Sequence, residues 1–429
     1  MRYETIDPTL FIENRRKLYE RMKPRSVAVL LANDILPSNA DGTIKFIQNS
    51  NLFYCTGVDQ EETIVLLAPD FPDEKMRQIL FLKETSEQIA IWEGHKLTKE
   101  EGQATSGIKN IHWTQHFDTI FQTILAECDH IYLDSNEHIR YSNPVETRSA
   151  RFIRECKDRY PLYEYERLSP ILTDLRCVKH PIETDMIQKA CNITEAGFRR
   201  VLEFLEPGKM EFEVEAEYLH EFVRNRSKGF AYEPIVGGGA NACVLHYLEN
   251  SDELKEGDLV LMDVGAEYGN YNADMTRTIP VNGRYTKRQK QVYNAVLRVK
   301  NAATELLKPG SAIPEYHQAV GDLMEKELVD LGLITMENIK SQDPAKPAYK
   351  KYFMHGTSHH LGLAVHDVAS IYKPFCEGMV LTVEPGIYIV EENIGIRIED
   401  DVVITKDGHL NLMKNIPIEA EEIEDLMNV

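Results

Sequence analysis

Three acidic residues stand at the ends of apolar runs that have the length and composition of buried β-strands. Asp263 follows Leu-Val-Leu-Met, Glu384 follows Val-Leu-Thr-Val and Glu399 follows Ile-Arg-Ile. A buried carboxylate without a partner costs several kcal/mol, so each must be protonated, paired with a cation or bound to a metal ion. A salt bridge or a cap would explain one such acid alone. Three of them in one stretch of the chain indicate a shared site.

A fourth acid and a group of histidines accompany these three. A turn containing Gly269 and Asn270 separates Asp263 from Asp274, and a hairpin there would bring both acids onto facing strands. Turn-flanking aspartates without a further role remain the alternative. Four of the 14 histidines lie within a stretch of twelve residues. They are His355, His359, His360 and His366.

Four carboxylates and one imidazole form an oxygen-rich set of possible ligands, which favours hard or borderline divalent ions such as Mn²⁺. The spacing of His355 and His359 resembles the HExxH helix of zinc peptidases, but the glutamate is missing and Gly356 disfavours a helix, so that motif is rejected. Four carboxylates in a dry site would repel one another and raise their pKa values unless cations cancelled their charge. Two divalent cations balance four carboxylates, so two metals fit better than one.

At these residues the sequence resembles the pita-bread metallopeptidase family, in its Xaa-Pro aminopeptidase branch. The ordered motifs are Asp263-Val-Gly, Asp274-Met-Thr-Arg, His359 in His-Gly-Thr-Ser-His, Glu384-Pro-Gly and Glu399-Asp-Asp. The resemblance implies that these five residues bind two divalent ions, and the donor set leads us to expect Mn²⁺. It also implies that a hydroxide bridging the ions hydrolyses the N-terminal Xaa-Pro bond. Glu384 would in addition carry a proton to the leaving nitrogen.

Five further residues are similar to those that contact the substrate in this family. His246 and His366 resemble the histidines near the scissile bond, which hydrogen-bond the substrate. Arg397, two residues before Glu399 and therefore on the same strand face, resembles the arginine that supports the site. Tyr388 and His355 resemble residues that line the proline pocket. The resemblance implies that His246, His366, Glu384 and Arg397 are the catalytic group.

The fold that this resemblance implies is α+β. Prolines around residues 170–181 indicate a domain boundary, which gives an α/β creatinase-like domain over residues 1–172 and a pita-bread catalytic domain over residues 173–429. The stretch 48–57 resembles a strand-and-turn signature of the N-terminal domain. Trp92 lies in a segment that resembles one which, in some members of the family, brings a tryptophan to the site of a neighbouring subunit. A packing role for Trp92 is the alternative.

Apolar runs and periodicity predict the secondary structure. The predicted strands are Val27–Leu31, Thr63–Leu67, Ile79–Leu82, Ile131–Leu133, Asp258–Gly265, Ala273–Val281, Met379–Glu384, Gly395–Asp401 and Val402–Thr405. The predicted helices are Arg15–Met22, Phe117–Ala126, Glu183–Leu205, Phe212–Lys228, one capped by Thr286 that runs to Leu307, and Glu315–Leu331.

Composition limits the setting and the partners. The net charge of −21 argues against nucleic acid and anionic membranes as partners. Seven scattered cysteines indicate thiols in a reducing compartment, and acids and a proline occupy the N-terminus where a signal peptide needs an apolar stretch. We therefore expect a cytoplasmic protein, and the resemblance implies a homo-oligomer, a dimer or tetramer, that takes peptides with proline second.

Three other functions remain as alternatives. An Xaa-Pro dipeptidase (prolidase) would use the same ligands, but the run Thr-Ser-His-His-Leu-Gly favours the aminopeptidase. A non-catalytic binding member of the fold would have lost ligands, and here none is lost. A metal-free creatinase-type hydrolase would lack the acids. His360 and Ala364 depart from the residues common in the family, which leaves the chemistry intact but blurs the substrate preference.

Overall fold

The computed structural model describes residues 2–142 and 144–428, which fall into two units. One unit is Thr5–Arg176, and the other combines Met1–Glu4 with Cys177–Val429. All seven cysteines are free thiols, and five of them are buried. Among the described residues, no helix is both long and apolar enough to cross a membrane.

The unit Thr5–Arg176 is built on one six-stranded sheet with the order β4-β3-β2-β1-β5-β6. β1 pairs in antiparallel fashion with β2 and in parallel fashion with β5. The strands are β1 (Ser26–Leu31), β2 (Ile64–Leu67), β3 (Gln78–Leu82), β4 (Asn110–Trp113), β5 (His130–Leu133) and β6 (Glu164–Arg167). The helices are α1 (Thr9–Tyr19), α2 (Ser50–Thr56), α3 (Glu87–Glu93), α4 (Lys99–Ser106), α5 (Phe117–Leu125), α6 (Arg148–Arg159) and α7 (Ser169–Cys177).

The four strands predicted here are confirmed, because they are continuous apolar runs that the sheet buries. The stretch 48–57 was predicted wrongly, since it forms the helix α2 and not a strand. The side chain of Asn49 caps the start of this helix, and Gly57 ends it with φ of 67°. Trp92 is 86% exposed, which excludes a packing role within this unit.

The second unit carries long helices around several short antiparallel sheets. These sheets have the orders β11-β8-β7, β12-β15-β16, β13-β14 and β10-β9. The strands are β7 (Ile235–Gly238), β8 (Leu259–Val264), β9 (Glu267–Tyr268), β10 (Tyr271–Asn272), β11 (Met275–Pro280), β12 (Val380–Val383), β13 (Gly386–Ile389), β14 (Ile394–Arg397), β15 (Asp400–Thr405) and β16 (Gly408–Asn411). The helices are α8 (Pro181–Phe204), α9 (Glu211–Arg224), α10 (Lys287–Leu306), α11 (Ile313–Asp330), α12 (Met336–Lys340) and α13 (Ala420–Met427).

Two predicted details of this unit change in the structure. The predicted hairpin exists as β8 and β11, but the residue opposite Asp263 is Thr276, so Asp274 lies just beyond the paired strands. The predicted strand Gly395–Asp401 is wrong, because β14 ends at Arg397 and β15 begins at Asp400. The alternation of apolar and polar residues continues across this break, so the sequence pattern does not reveal it.

Candidate metal centre

The four acids singled out in the sequence approach one region from the ends of different strands. Asp263 lies in β8, Asp274 directly precedes β11 and Glu384 directly follows β12. Glu399 lies in the short connection between β14 and β15. Ligand atoms of Asp274, His359 and Glu399 all lie within 4.8 Å of one another, a separation that suits a shared metal ion.

His359 presents one ring nitrogen to the acids. Its Nδ1 lies 3.0 Å from the carbonyl oxygen of His360, so this nitrogen carries the hydrogen and donates it. Its Nε2 lies 3.3 Å from Asp274 Oδ2 and 3.7 Å from Glu384 Oε1. A lone pair facing two carboxylates is unfavourable unless a proton or a metal ion lies between them. An imidazole oriented in this way by its other nitrogen is typical of a metal ligand.

The electrostatics of the cluster show a deficit of positive charge. Burial opposes protonation of His359, yet hydrogen bonding to Asp274 and the charge of Glu384 raise its pKa to about 9. Burial and the charge of Asp274 raise the pKa of Glu384 to about 7. Burial raises the pKa of Asp263 as well, and burial together with the other acids raises the pKa of Glu399 well above its usual value. Divalent cations would remove this repulsion, so the residues fit the metals that the sequence predicts.

Arg397 is the cation inside the cluster, and it connects two of the acids. Its Nη2 donates to Asp263 Oδ2 at 2.6 Å, and its Nε donates to Thr276 Oγ1 at 3.1 Å. Thr276 Oγ1 in turn donates to Glu399 Oε2 at 2.7 Å. The prediction that Arg397 and Glu399 share a strand face is wrong, because the chain leaves β14 between them. They meet through Thr276 instead.

Tyr232 belongs to this centre, and sequence reasoning missed it. Its hydroxyl lies 2.6 Å from Oδ1 of Asp263 and 2.6 Å from Oδ1 of Asp274. A hydroxyl has one hydrogen, so it donates to one carboxylate at a time. Tyr232 lies in the stretch Phe-Ala-Tyr-Glu-Pro, which has no motif that distinguishes this tyrosine from a core aromatic.

A chain of hydrogen bonds joins Arg397 to His355 through the Tyr388 hydroxyl. Arg397 Nη1 donates to the Tyr388 hydroxyl at 2.8 Å, and His355 Nε2 lies 2.8 Å from the same hydroxyl. His355 Nδ1 lies 2.7 Å from the carbonyl oxygen of Gly356, so Nδ1 carries the hydrogen and Nε2 accepts from Tyr388. Burial lowers the pKa of His355 to about 3, so this imidazole is neutral at physiological pH.

The two remaining histidines predicted to contact substrate are exposed. The ring of His366 stands edge-on to that of His359, with centroids 4.3 Å apart and an angle of 83° between the planes. His246 follows the 3₁₀ helix Gly239–Cys243. The exposed imidazole of His366 therefore lies beside the cluster of acids around His359.

This combination of sheets, acids and histidine defines the class of the protein. Residues 185–406 match metallopeptidase family M24, and residues 11–132 match the aminopeptidase P N-terminal domain. The chain belongs to metallopeptidase family M24. The Xaa-Pro aminopeptidases of Haemophilus influenzae and Escherichia coli are each 34% identical to it, over 97% of this chain and 97% of theirs. The structure of Escherichia coli aminopeptidase P with the inhibitor Pro-Leu has a TM-score of 0.88 and 33% identity, and the match covers 99% of each chain.

Proposed function

We propose that this protein is an Xaa-Pro aminopeptidase, which hydrolyses the bond between the first residue of a peptide and a proline in second position. The observation that carries the proposal is the acid cluster around His359, whose Nε2 faces Asp274 and Glu384. The Xaa-Pro aminopeptidase relatives, similar along nearly their whole length, favour this substrate class over that of prolidase. The catalytic domain is proposed to begin near residue 173.

The metal ligands are proposed to be Asp263, Asp274, His359, Glu384 and Glu399. The donors are four carboxylates and one imidazole, which suit Mn²⁺, and we propose two such ions. When bound, they supply a hydroxide nucleophile at neutral pH and polarise the scissile carbonyl.

The other residues bind the peptide and manage its protons. His246 and His366 are exposed imidazoles that can donate to the substrate carbonyl and stabilise the oxyanion. Glu384, whose Oε1 lies 3.7 Å from His359 Nε2, is proposed to carry the proton that the leaving proline nitrogen needs. The neutral ring of His355 and the buried ring of Tyr388 supply a wall for proline, which offers no N–H to recognise.

Three further features are proposed on narrower support. The seven free thiols support a reducing, cytoplasmic setting. The exposure of Trp92, 86%, and of Ile91, 78%, supports a homo-oligomer that covers them. Manganese is proposed as the physiological metal on the strength of the oxygen-rich donor set.

The test is a metal-restoration assay on the full chain. The protein is stripped with a chelator, and Mn²⁺, Co²⁺ or Zn²⁺ is returned singly. Release of alanine is then measured from Ala-Pro-Ala, from Ala-Pro and from Ala-Ala-Ala. We expect no activity without metal, best recovery with Mn²⁺, and cleavage of Ala-Pro-Ala alone. Full activity of the stripped protein contradicts the metal centre, and preference for Ala-Pro over Ala-Pro-Ala indicates a prolidase instead.

A further inference from the structure

His366 lies on a segment that has neither helix nor strand. Residues 361–370 form bends and irregular backbone, and the side chain of His366 is exposed. A side chain that acts on a substrate must be held close to its productive position by neighbours that are themselves fixed by packing and hydrogen bonds. Since residues 361–370 lie outside the helices and strands, contacts of the adjacent side chains must hold this imidazole in place.

The residue that follows His366 is buried and belongs to an ion pair. Asp367 Oδ2 accepts from Lys179 Nζ at 3.1 Å, and both side chains are only 1% exposed. Taking two charges out of water costs so much that a buried ion pair adds little net stability. Leaving one partner alone is very unfavourable, however, so such a pair fixes where its two side chains lie. The position of Asp367 is therefore defined although its neighbour His366 is exposed.

Both members of the pair are attached to fixed parts of the second unit. Lys179 directly precedes His180, the N-cap of the 24-residue helix α8. The backbone N–H of Lys179 donates to the carbonyl oxygen of Gly378 at 2.8 Å. The backbone N–H of Asp367 donates to the carbonyl oxygen of His360 at 2.8 Å. The ion pair thus connects the irregular segment that carries His366 to the start of a long helix.

Gly362 leaves the space that this ion pair occupies. A Cβ placed on Gly362 would lie 2.3 Å from Asp367 Oδ2 and 2.9 Å from Lys179 Cε. The carbonyl oxygen of Gly362 accepts from the backbone N–H of Asn272 at 3.0 Å and from its side-chain amide at 3.1 Å. The segment is therefore bound to β10, and the ion pair packs directly against its backbone.

His359 is held by contacts of its own. Its backbone N–H donates to Thr382 Oγ1 at 3.2 Å, and its carbonyl oxygen accepts from the backbone N–H of Thr382 at 3.0 Å. Thr382 lies in β12. The histidine proposed as a metal ligand is thus fixed by a strand, whereas the one proposed to contact the substrate is next to the ion pair.

We propose that Lys179 and Asp367 are positioning residues, and that their buried ion pair holds the His366 imidazole at the place from which it donates to the substrate. Neither residue touches the substrate itself, so both act through His366. The inference rests on the proposed function, since it assigns a support to one residue of that site. Because His366 is proposed to act on charge that develops in the transition state, a displaced imidazole should lower kcat more than it raises KM.

The test is a double-mutant cycle on the Mn²⁺-loaded full chain, with Ala-Pro-Ala as the substrate. Asp367→Asn is expected to lower kcat by about tenfold or more, as small displacements of reacting groups do. In the background of His366→Ala the same substitution is expected to cost less than about twofold, because the group that it displaces is already missing. Equal losses in the two backgrounds overturn the proposal. Full activity of His366→Ala overturns it as well.

Titration of Mn²⁺ shows whether the effect is confined to His366. Asp367→Asn is expected to bind Mn²⁺ as the wild type does, because β12 holds His359. A loss of Mn²⁺ affinity that matches the loss of kcat overturns the proposal, since the ion pair would then support the metal centre as a whole.

Further variants separate positioning from stability. Lys179→Met combined with Asp367→Asn removes both charges of the pair, so neither is left alone in the interior. This double variant is expected to fold and to keep the low kcat, and it replaces Asp367→Asn in the cycle if the single variant does not fold. Gly362→Ala retains both charges but displaces the carboxylate, and the same loss of kcat is expected. Wild-type kcat in the double variant overturns the proposal.

The matched control is an ion pair elsewhere in the second unit. Lys290 Nζ lies 2.8 Å from Glu424 Oε2, between α10 and α13. Glu424→Gln breaks this pair and is expected to leave kcat unchanged, and a loss equal to that of Asp367→Asn would overturn a specific role for the latter. Failure of the wild type to cleave Ala-Pro-Ala would reject the proposed function itself. An active wild type with an equally active Asp367→Asn rejects only the positioning role.

Discussion

The ring of His366 stands edge-on to that of His359, with centroids 4.3 Å apart. This contact places an exposed imidazole directly beside a half-buried one that faces carboxylates. The Nε2 of His359 lies 3.3 Å from Asp274 Oδ2 and 3.7 Å from Glu384 Oε1. We propose that His359 binds metal and His366 binds substrate, so variants of the two residues should behave differently.

His366→Ala should lower kcat/KM for Ala-Pro-Ala by about 10²–10³, the cost of removing one donor to a developing oxyanion. Its affinity for Mn²⁺ should stay close to that of the wild type, because His366 is not proposed as a ligand. His359→Ala, the matched variant, should lose both its activity on Ala-Pro-Ala and its affinity for Mn²⁺. Steady-state kinetics and calorimetric titration of Mn²⁺ measure the two quantities. Equal loss of metal affinity in both variants would contradict the division of roles.

Asp274→Ala should leave the chain folded and inactive. Removing one of several mutually repelling carboxylates lowers the electrostatic repulsion in the metal-free protein. The Tm of the metal-free variant should therefore be no lower than that of the metal-free wild type. The rise in Tm that Mn²⁺ gives to the wild type should shrink strongly, because a ligand that binds only the folded state stabilises in proportion to its affinity. Thermal scans with and without Mn²⁺ measure both effects. Asp158→Ala, an exposed aspartate of α6, is the control. Wild-type turnover of Asp274→Ala would exclude a role for this residue in the metal centre.

The close approach of β14 to the turn before His246 depends on a glycine. A Cβ placed on Gly395 would lie 2.1 Å from the backbone oxygen of Ala242, too close for any packed arrangement. Gly395→Ala should therefore cost about 1–3 kcal/mol of stability and raise KM, because the segment that leads to His246 must shift. Gly408→Ala, in β16 with nothing within 4 Å of the new carbon, should change stability by less than about 0.5 kcal/mol. Urea unfolding and KM are measured for both, and equal effects would contradict the steric argument.

The sequence predicted the acids of the centre because each follows an apolar run, and a carboxylate at such a place requires an explanation. It also predicted β1, β2, β3 and β5 of the first unit, whose burial leaves an unbroken apolar signal. It missed β4 and β6, which are only partly buried and carry polar residues. The helix over Ser50–Thr56 was missed although Asn49 and Gly57 are ordinary helix-boundary residues. Asn49 and Gly57 therefore predict a helix here more directly than the resemblance predicts a strand.

The contacts that complete the centre could not be predicted from the sequence. Tyr232 reaches Asp263 and Asp274 across 31 and 42 residues, so only the tertiary fold brings the hydroxyl to them. The break between Arg397 and Asp400 lies within an alternating stretch that is indistinguishable from one long strand. Thr276 connects Arg397 to Glu399 only because β11 runs beside both. No sequence pattern indicates that β11 lies next to these two residues.

A buried ion-pair group next to the centre gives the stability a defined pH dependence. Arg277 Nη2 lies 2.6 Å from Asp400 Oδ1, and Lys300 donates to Asp400 Oδ2. Burial alone would raise the pKa of Asp400, but the charges of Lys300 and Arg277 hold it well below its usual value. A carboxyl whose pKa is lower in the folded than in the unfolded chain stabilises the fold above its unfolded pKa of about 3.9. That contribution disappears as the pH falls toward the folded value.

Asp400→Asn should consequently lower the unfolding free energy of the metal-free protein by about 3–5 kcal/mol at pH 7, because two buried cations lose their partner. The difference from the wild type should shrink progressively below about pH 4, where the unfolded wild-type chain takes up a proton that the folded chain resists. Urea unfolding in the presence of a chelator at pH 7, 5, 4 and 3 measures this difference, with the exposed Asp158→Asn as the control. Other acids titrate alike in both proteins, so the comparison isolates Asp400. A difference that stays constant over this pH range would show that the ion pairs do not set the pKa of Asp400.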